Sequence, residues 1–428
     1  MLLLFMLCFL VPIHLHFGSL TMGLPRFYLL LGFFPALFTL FRAPDLRIGA
    51  TDYLIFGFIL WASLAILANH GLTEIEFMGL QVVDMFGAYL VGRALIRTPE
   101  DYRYFWRIFA YAMLFMFPIA FVELLTNRFI LHDLLRPFFD VFANATIHYP
   151  PRWGFDRVQG NLEHPILFGV FWSLGFAPML SVFRSFSARV FFGAICLAMV
   201  GMSLSSGAYL VAIFQSGLLL WGWMTRGSWK TLLVLFAILY VVVEIISNRP
   251  ALVAISTRLA FSSGTAYWRV LIWEFGTKNV LENPIFGLGL RDWVRPSWLG
   301  ASVDNNWLLV AMRGGIPAIL LLLSAFGAMI KTLVSARDLS PRVQRYRRNF
   351  IIMFLSMFLA LGTVAVWSGT QSFLFFLLAM GVNLAGMKQQ GGEEVPVPEA
   401  PPVSRYTRQK VRHARQPSPQ SSSPAQRA

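Results

Sequence analysis

"SVDNNWLLVAMRGGIPAILLLL", residues 302–323, opens with one acid and two amides and then turns almost wholly apolar, with Arg313, Gly314, Gly315 and Pro317 interrupting the run. Asn306 to Val334 is 29 residues, about 43 Å of helix at ~1.5 Å per residue. A bilayer's hydrocarbon core is only about 30 Å thick. The Gly-Gly-x-Pro group is therefore expected to break the segment into a short helix, Asn305–Met312, and a true span from Ile316 onward. Broken backbone at membrane depth is tolerated only where protein or a water-filled cavity surrounds it. Asp304 and Asn305 then sit at the start of the short helix, facing a cavity, and the competing reading is a plain helix cap.

The rest of the 428-residue chain agrees with a membrane setting. It is 57% hydrophobic and 13% charged, with mean hydropathy +0.63, where soluble domains carry about 25% charged residues. Two cysteines, Cys8 and Cys196, lie in apolar runs and lack the spacing of a disulfide framework or a metal site. The expected class is an all-α polytopic membrane protein of about twelve helices. The spans lie near Met1–His14, Arg26–Phe41, Asp52–Ala68, Phe77–Ile96, Tyr104–Leu125 and Pro165–Phe183. Six more lie near Val190–Leu204, Ala208–Met224, Thr231–Ile246, Asn306–Val334, Phe350–Val366 and Gln371–Ala385. The first is the weakest, being short and without a basic start.

Orientation follows from the short loops. Residues Lys331 to Arg348 hold six basic groups against one acid, Asp338, and such loops stay cytoplasmic. Counting outward, both termini fall inside, and two long loops, 126–164 and 247–303, fall on the periplasmic face. The membrane domain is 1–386. The stretch 387–428, rich in Pro, Ser, Gln and Arg, is expected to be a disordered basic cytoplasmic tail. Tail and inner loops carry much of the +14 net charge, so nucleic acid is not an expected partner. No Gly-rich phosphate loop, HExxH or Asp-x-Asp pair occurs. Neither a metal nor a cofactor is expected.

Asp84, Glu123 and Glu244 are charged at mid-span, and Arg93 is expected to snorkel to the cytoplasmic interface. A transporter would use such charges, although Asp84 and Glu123 can equally pair with neighbouring helices. The polar groups gather instead in the long loops. The first ends "HYPPRWGFDRVQGNLEHPILFGVF" (148–171), with Arg152, Arg157, Glu163 and His164 just before a span. Asn161 can cap that helix, and a helix N-terminus also suits an anion. The second contains "YWRVLIW" (267–273). Tyr267, Trp268, Leu271, Ile272 and Phe275 form an apolar helical stripe with Arg269 off it. "ENPIFGLGL" (282–290) follows as a turn.

With "DMFGAYLVGRALI" (84–96), "MSLSSGAYLVAIF" (202–214) and "VDNNWLLVAMRGGIPA" (303–318), these pieces resemble, in order, the O-antigen polymerase and ligase family of bacterial polyprenyl-diphosphate-dependent membrane glycosyltransferases. The resemblance covers roughly Asp84 to Ala385. It implies metal-free transfer of glycans from a lipid-linked donor to a glycan acceptor on the outer face of the inner membrane. A chain-length regulator and a flippase of the same pathway are the implied further partners. Two departures stand out. Ser206 replaces the arginine of the ligases' SRGA-like motif, and Asp304 replaces a histidine before the Asn of the last motif. Both point toward exopolysaccharide polymerase-like members. The alternatives are an O-antigen ligase acting on a lipid A core and a glycan or lipid transporter. Arginine pairs bidentately with phosphate, so Arg157 and Arg269 are expected to hold the donor diphosphate, with Asp304 as base. Arg152, His164, Asn305, Arg291 and Glu163 are the expected substrate-binding groups.

Overall fold

The computed structural model describes residues 1–387 apart from 19, 142–146, 248–250, 252–253, 255–262 and 338. Arg249, Arg258, Asp338 and residues 388–428 of the expected tail lie outside the described residues. The chain runs α1 (Leu2–Leu10), a hairpin of β1 (His14–Phe17) and β2 (Leu20–Gly23), α2 (Leu24–Arg42) and α3 (Ala50–His70). Next come α4 (Ile75–Val82), a π-turn at Val83–Gly87, α5 (Ala88–Leu95), α6 (Pro99–Thr126), α7 (Ile130–Leu135), α8 (Pro165–Ser173) and α9 (Phe176–Val182). Then follow α10 (Phe186–Met202), α11 (Ser206–Met224), α12 (Trp229–Ile246), α13 (Ser263–Glu282), α14 (Asn306–Ser335), α15 (Pro341–Ala360) and α16 (Ser368–Gly386).

Among the described residues, eight helical stretches are long and apolar enough to cross a membrane, and α10 is a shorter apolar helix. The protein is an all-α, multi-pass membrane protein. None of the side chains of α12 is buried, although the helix is apolar from Leu232 to Val243, which suits a helix facing lipid on every side. The expected first span is corrected. Residues 2–10 give only about 14 Å of helix at ~1.5 Å per residue, and 14–23 form the hairpin. The expected eleventh span starts earlier, at Pro341, and stops at Ala360.

The core is a stack of aromatic rings. Phe105 and Phe109 of α6, Phe171 and Trp172 of α8, and Phe373 and Phe376 of α16 have ring centroids 4.7–6.0 Å apart. α3 packs along α14, and α5 along α16. Gly92 makes the second approach possible, because a Cβ there would sit 2.7 Å from the Phe376 carbonyl oxygen.

The mid-span charges are all engaged. Asp84, in the π-turn, takes a two-pronged ion pair from Arg26 at 2.9 and 2.5 Å. Glu123 accepts the backbone N–H groups of Gln159 and Gly160, and Glu244 accepts that of Ala251. Arg93 does not snorkel. It is buried, pairs with Asp52 at 3.0 Å and donates to the Asn383 side chain. A cation this far from water needs such partners, and these were invisible at 41 and 290 residues' separation in sequence.

Candidate functional site

The break in α14 occurs where the residue types require it. Asn305 caps the helix through Oδ1, which accepts the Leu308 N–H at 3.0 Å. Gly315 stands at φ 72°, ψ −174°, a conformation only glycine adopts cheaply. The loop 282–290 docks on the interruption and satisfies its backbone. Ile316 N donates to Pro284 O at 2.7 Å, Leu288 N to Met312 O at 2.7 Å and Gly289 N to Arg313 O at 3.0 Å. Trp61 Nε1 donates to Gly314 O at 2.9 Å. The turn expected to bring the chain back thus meets the break expected in the span. Leu271, Ile272, Leu288, Trp293, Val303, Leu308 and Met312 bury one another here.

That small core turns α13. Tyr267 and Trp268 are exposed, whereas Arg269, Ile272, Asn279 and Val280 are buried and Gly276 abuts Leu308. Arg269 therefore lies on the buried stripe, not off it as its charge suggested. Its Nη2 donates to Ser206 Oγ at 3.3 Å and to Thr363 O at 3.4 Å. The serine where ligases carry arginine is thus bonded to the arginine of α13. Burial depresses the Arg269 pKa. The Asp304 carboxylate opposes the depression and Arg152 adds to it, which places both charges within electrostatic reach of Arg269.

The first long loop supplies the facing wall. Arg152 Nη1 donates to Leu204 O at 2.7 Å. The Arg157 guanidinium lies over the Tyr149 ring, 5.8 Å from its centroid, and the Tyr149 ring meets that of His164 at a 60° tilt, with centroids 4.3 Å apart. Nε and Nη2 of Arg157 are buried and have no hydrogen-bond partner among the described residues. Burial, helped by Arg152, pulls its pKa down to about 10, so the side chain stays charged with donors to spare. The cap of α8 is His164, whose Nδ1 accepts the Ile166 N–H at 2.9 Å. Asn161, the expected cap, instead donates to Phe9 O at 2.8 Å.

Arg152, Arg157, His164, Arg269 and Asp304 therefore gather at one place, with Asn305 as the cap beside them. Asp304 receives the Ser302 hydroxyl at 3.0 Å and plays no part in the cap. Arg291 is not in the cluster. It donates to the Asn69 side chain and lines a neighbouring cavity of 430 Å³ with Arg313, Phe58, Ser302 and Trp367. Glu163 turns away to a second cavity, accepting Trp367 Nε1 at 3.1 Å and Ser368 Oγ at 2.7 Å. Tyr149, Ser206, Thr363 and Arg313 also belong to these surroundings. Ser206 stood out only as a departure from a motif, and Thr363 gave no signal.

Three arginines and one carboxylate brought together from two loops suit an anionic ligand with a proton to lose nearby. No curated protein matches the chain. Residues 191–323 match the family model described as O-antigen ligase, a stretch that holds Ser206, Arg269, Arg291 and Asp304 but not Arg157. Over that stretch, about a third of its length, the chain is similar to the O-antigen ligase family.

Proposed function

We propose that the protein polymerises polyprenyl-diphosphate-linked glycan repeat units into exopolysaccharide or O-antigen on the periplasmic face of a bacterial inner membrane. The observation that carries this reading is Arg157, whose buried Nε and Nη2 have no hydrogen-bond partner among the described residues; Arg152 lies within its electrostatic reach, and Arg152 and Asp304 both act on the buried Arg269. Arg157 and Arg269 hold the donor diphosphate. As the glycosidic C–O bond breaks, the electron pair leaves with the diphosphate, and fixed guanidinium donors stabilise the growing charge. The acceptor hydroxyl attacks the sugar carbon and gives its proton to Asp304. The larger cavity, with Arg291 and Arg313 in an apolar wall, suits the junction of phosphate and lipid.

The periplasmic assignment rests on the basic loop Lys331 to Arg348. Flippase and chain-length regulator are the proposed partners in the pathway.

The test is turnover of a lipid-linked repeat unit in proteoliposomes. Arg269→Lys keeps the charge but loses the fork and is expected to lower the rate at least about 100-fold, the size typical of one lost electrostatic donor. A rate near wild type overturns the proposal. A second reading, glycan transfer to a lipid acceptor, is favoured by the matched family's description as a ligase. Deletion of the gene separates the readings. A polymerase mutant makes single units only, a ligase mutant leaves long chains on the carrier lipid, and a transporter mutant accumulates substrate on the cytoplasmic side.

A further inference from the structure

We infer that the 240 Å³ cavity between the β1–β2 hairpin and the first turn of α16 is a binding site for one saccharide ring, separate from the arginine cluster. Its volume equals the share of about eight waters at ~30 Å³ each. Thr21, Asn161, Glu163, Ser368, Thr370 and Ser372 line it, above a floor that includes Phe9 and Leu167. Thr21 is exposed and marks the mouth, whereas Asn161 and Thr370 are buried at the back.

Two side chains of this lining, Asn161 and Thr370, each carry a buried polar atom, Oδ1 and Oγ1, that has no hydrogen-bond partner among the described residues. Buried groups of this kind carry a desolvation cost unless something bonds them. The other lining groups decide what that ligand is. Arg26 is committed to Asp84 by both prongs and burial holds His14 toward its neutral form, so an anion is poorly matched and meets the Glu163 carboxylate. Asp84 is spent on Arg26, and Glu163 on Trp367 and Ser368, so a cation finds no free carboxylate. An apolar ligand leaves the amide and hydroxyl unsatisfied. A neutral molecule dense in hydroxyls, with one apolar face for the Phe9 side, meets every condition.

The wall between the two cavities is only a few residues thick. Ser368, Thr370 and Ser372 face this one, while Trp367 and Gln371 face the larger. Asp84 and Met85 divide in the same way at the π-turn, a helix irregularity that often marks a functional position.

The experiment is saturation-transfer NMR on the full chain in nanodiscs, with glucose, galactose and N-acetylglucosamine as probes and inorganic phosphate as competitor. At least one sugar is expected to give a signal that phosphate does not displace. Thr370→Val, which removes only the hydroxyl, is expected to weaken binding about 2- to 10-fold, the worth of one hydrogen bond. Should that variant fail to fold, Thr21→Tyr at the exposed mouth is expected to abolish the signal. Retention of the signal in Arg269→Lys separates this site from the transfer site, whatever the fate of the proposed reaction. No sugar signal from the wild type overturns the inference. So does a signal unchanged in Thr370→Val and Thr21→Tyr, or one that vanishes only in Arg269→Lys.

Discussion

Asp304 is the residue at which capping and catalysis are now separable. The cap belongs to Asn305, so Asp304→Asn leaves helix α14 its own cap and takes away only the carboxylate. Polymer made per unit of membrane-inserted protein is expected to fall about 10²- to 10⁴-fold, the usual cost of a lost general base. Normal synthesis would make Asp304 structural. His164 carries a different expectation. Burial, then Arg157 and Arg152, push its pKa from 6.5 down to about 4, so it is neutral near pH 7 and its Nδ1 is able to accept the Ile166 N–H. A depressed histidine stabilises the fold fully above about pH 6.5, and that contribution is lost as pH falls toward 4. Thermal unfolding in detergent should therefore weaken across this window in the wild type. In His164→Asn, which still caps but does not titrate, that part of the slope should be missing; identical slopes would refute the assignment.

Among the elements, α14 depends most on its break. At Gly315 a Cβ would overlap the Ile285 carbonyl, and the backbone is left-handed there. Gly315→Ala is expected to cost at least about 1–3 kcal/mol of strain and to loosen the 282–290 loop from α14. The readout is a lower unfolding temperature together with new protease cleavage in that loop; a wild-type profile would mean that the loop docks by other contacts. This break was legible in the sequence because Gly-Gly-x-Pro is a local signal and the apolar run was too long for one straight span. The face of α13 was not. Helical spacing put Arg269 off the apolar stripe, whereas its bonds to Ser206 and Thr363 bury it. The first span was expected to run to His14, where the hairpin begins, because a short apolar run does not distinguish strand from helix. The candidate cluster was legible as residues, since charges just outside apolar spans are conspicuous. Its exclusion of Arg291 and Glu163 was not, because Asn69 and Trp367, which hold them, are 222 and 204 residues away in sequence.

At the scale of the whole molecule, the proposed chemistry requires both long loops and the hairpin to share one side of the membrane. The contacts tie them together. His14 N donates to Asp140 O at 2.7 Å and the His16 ring meets the Asp140 carboxylate at 2.6 Å, joining hairpin to first loop. Arg152 reaches the 203–205 turn, and Arg269 of the second loop reaches Ser206. The nine residues of α1 do not cross a bilayer, so nothing in that helix moves the hairpin to the other face. Reporter fusions at Phe139 and Gly300 are therefore expected to be active only with a periplasmic reporter. Thr21→Cys, exposed on β2, is expected to react with a membrane-impermeant maleimide in intact spheroplasts. Cys8 and Cys196 are buried and supply a low background. Labelling of Thr21→Cys only after lysis, or cytoplasmic activity at either fusion point, would place the arginine cluster away from a periplasmic donor and remove the basis of the proposed reaction.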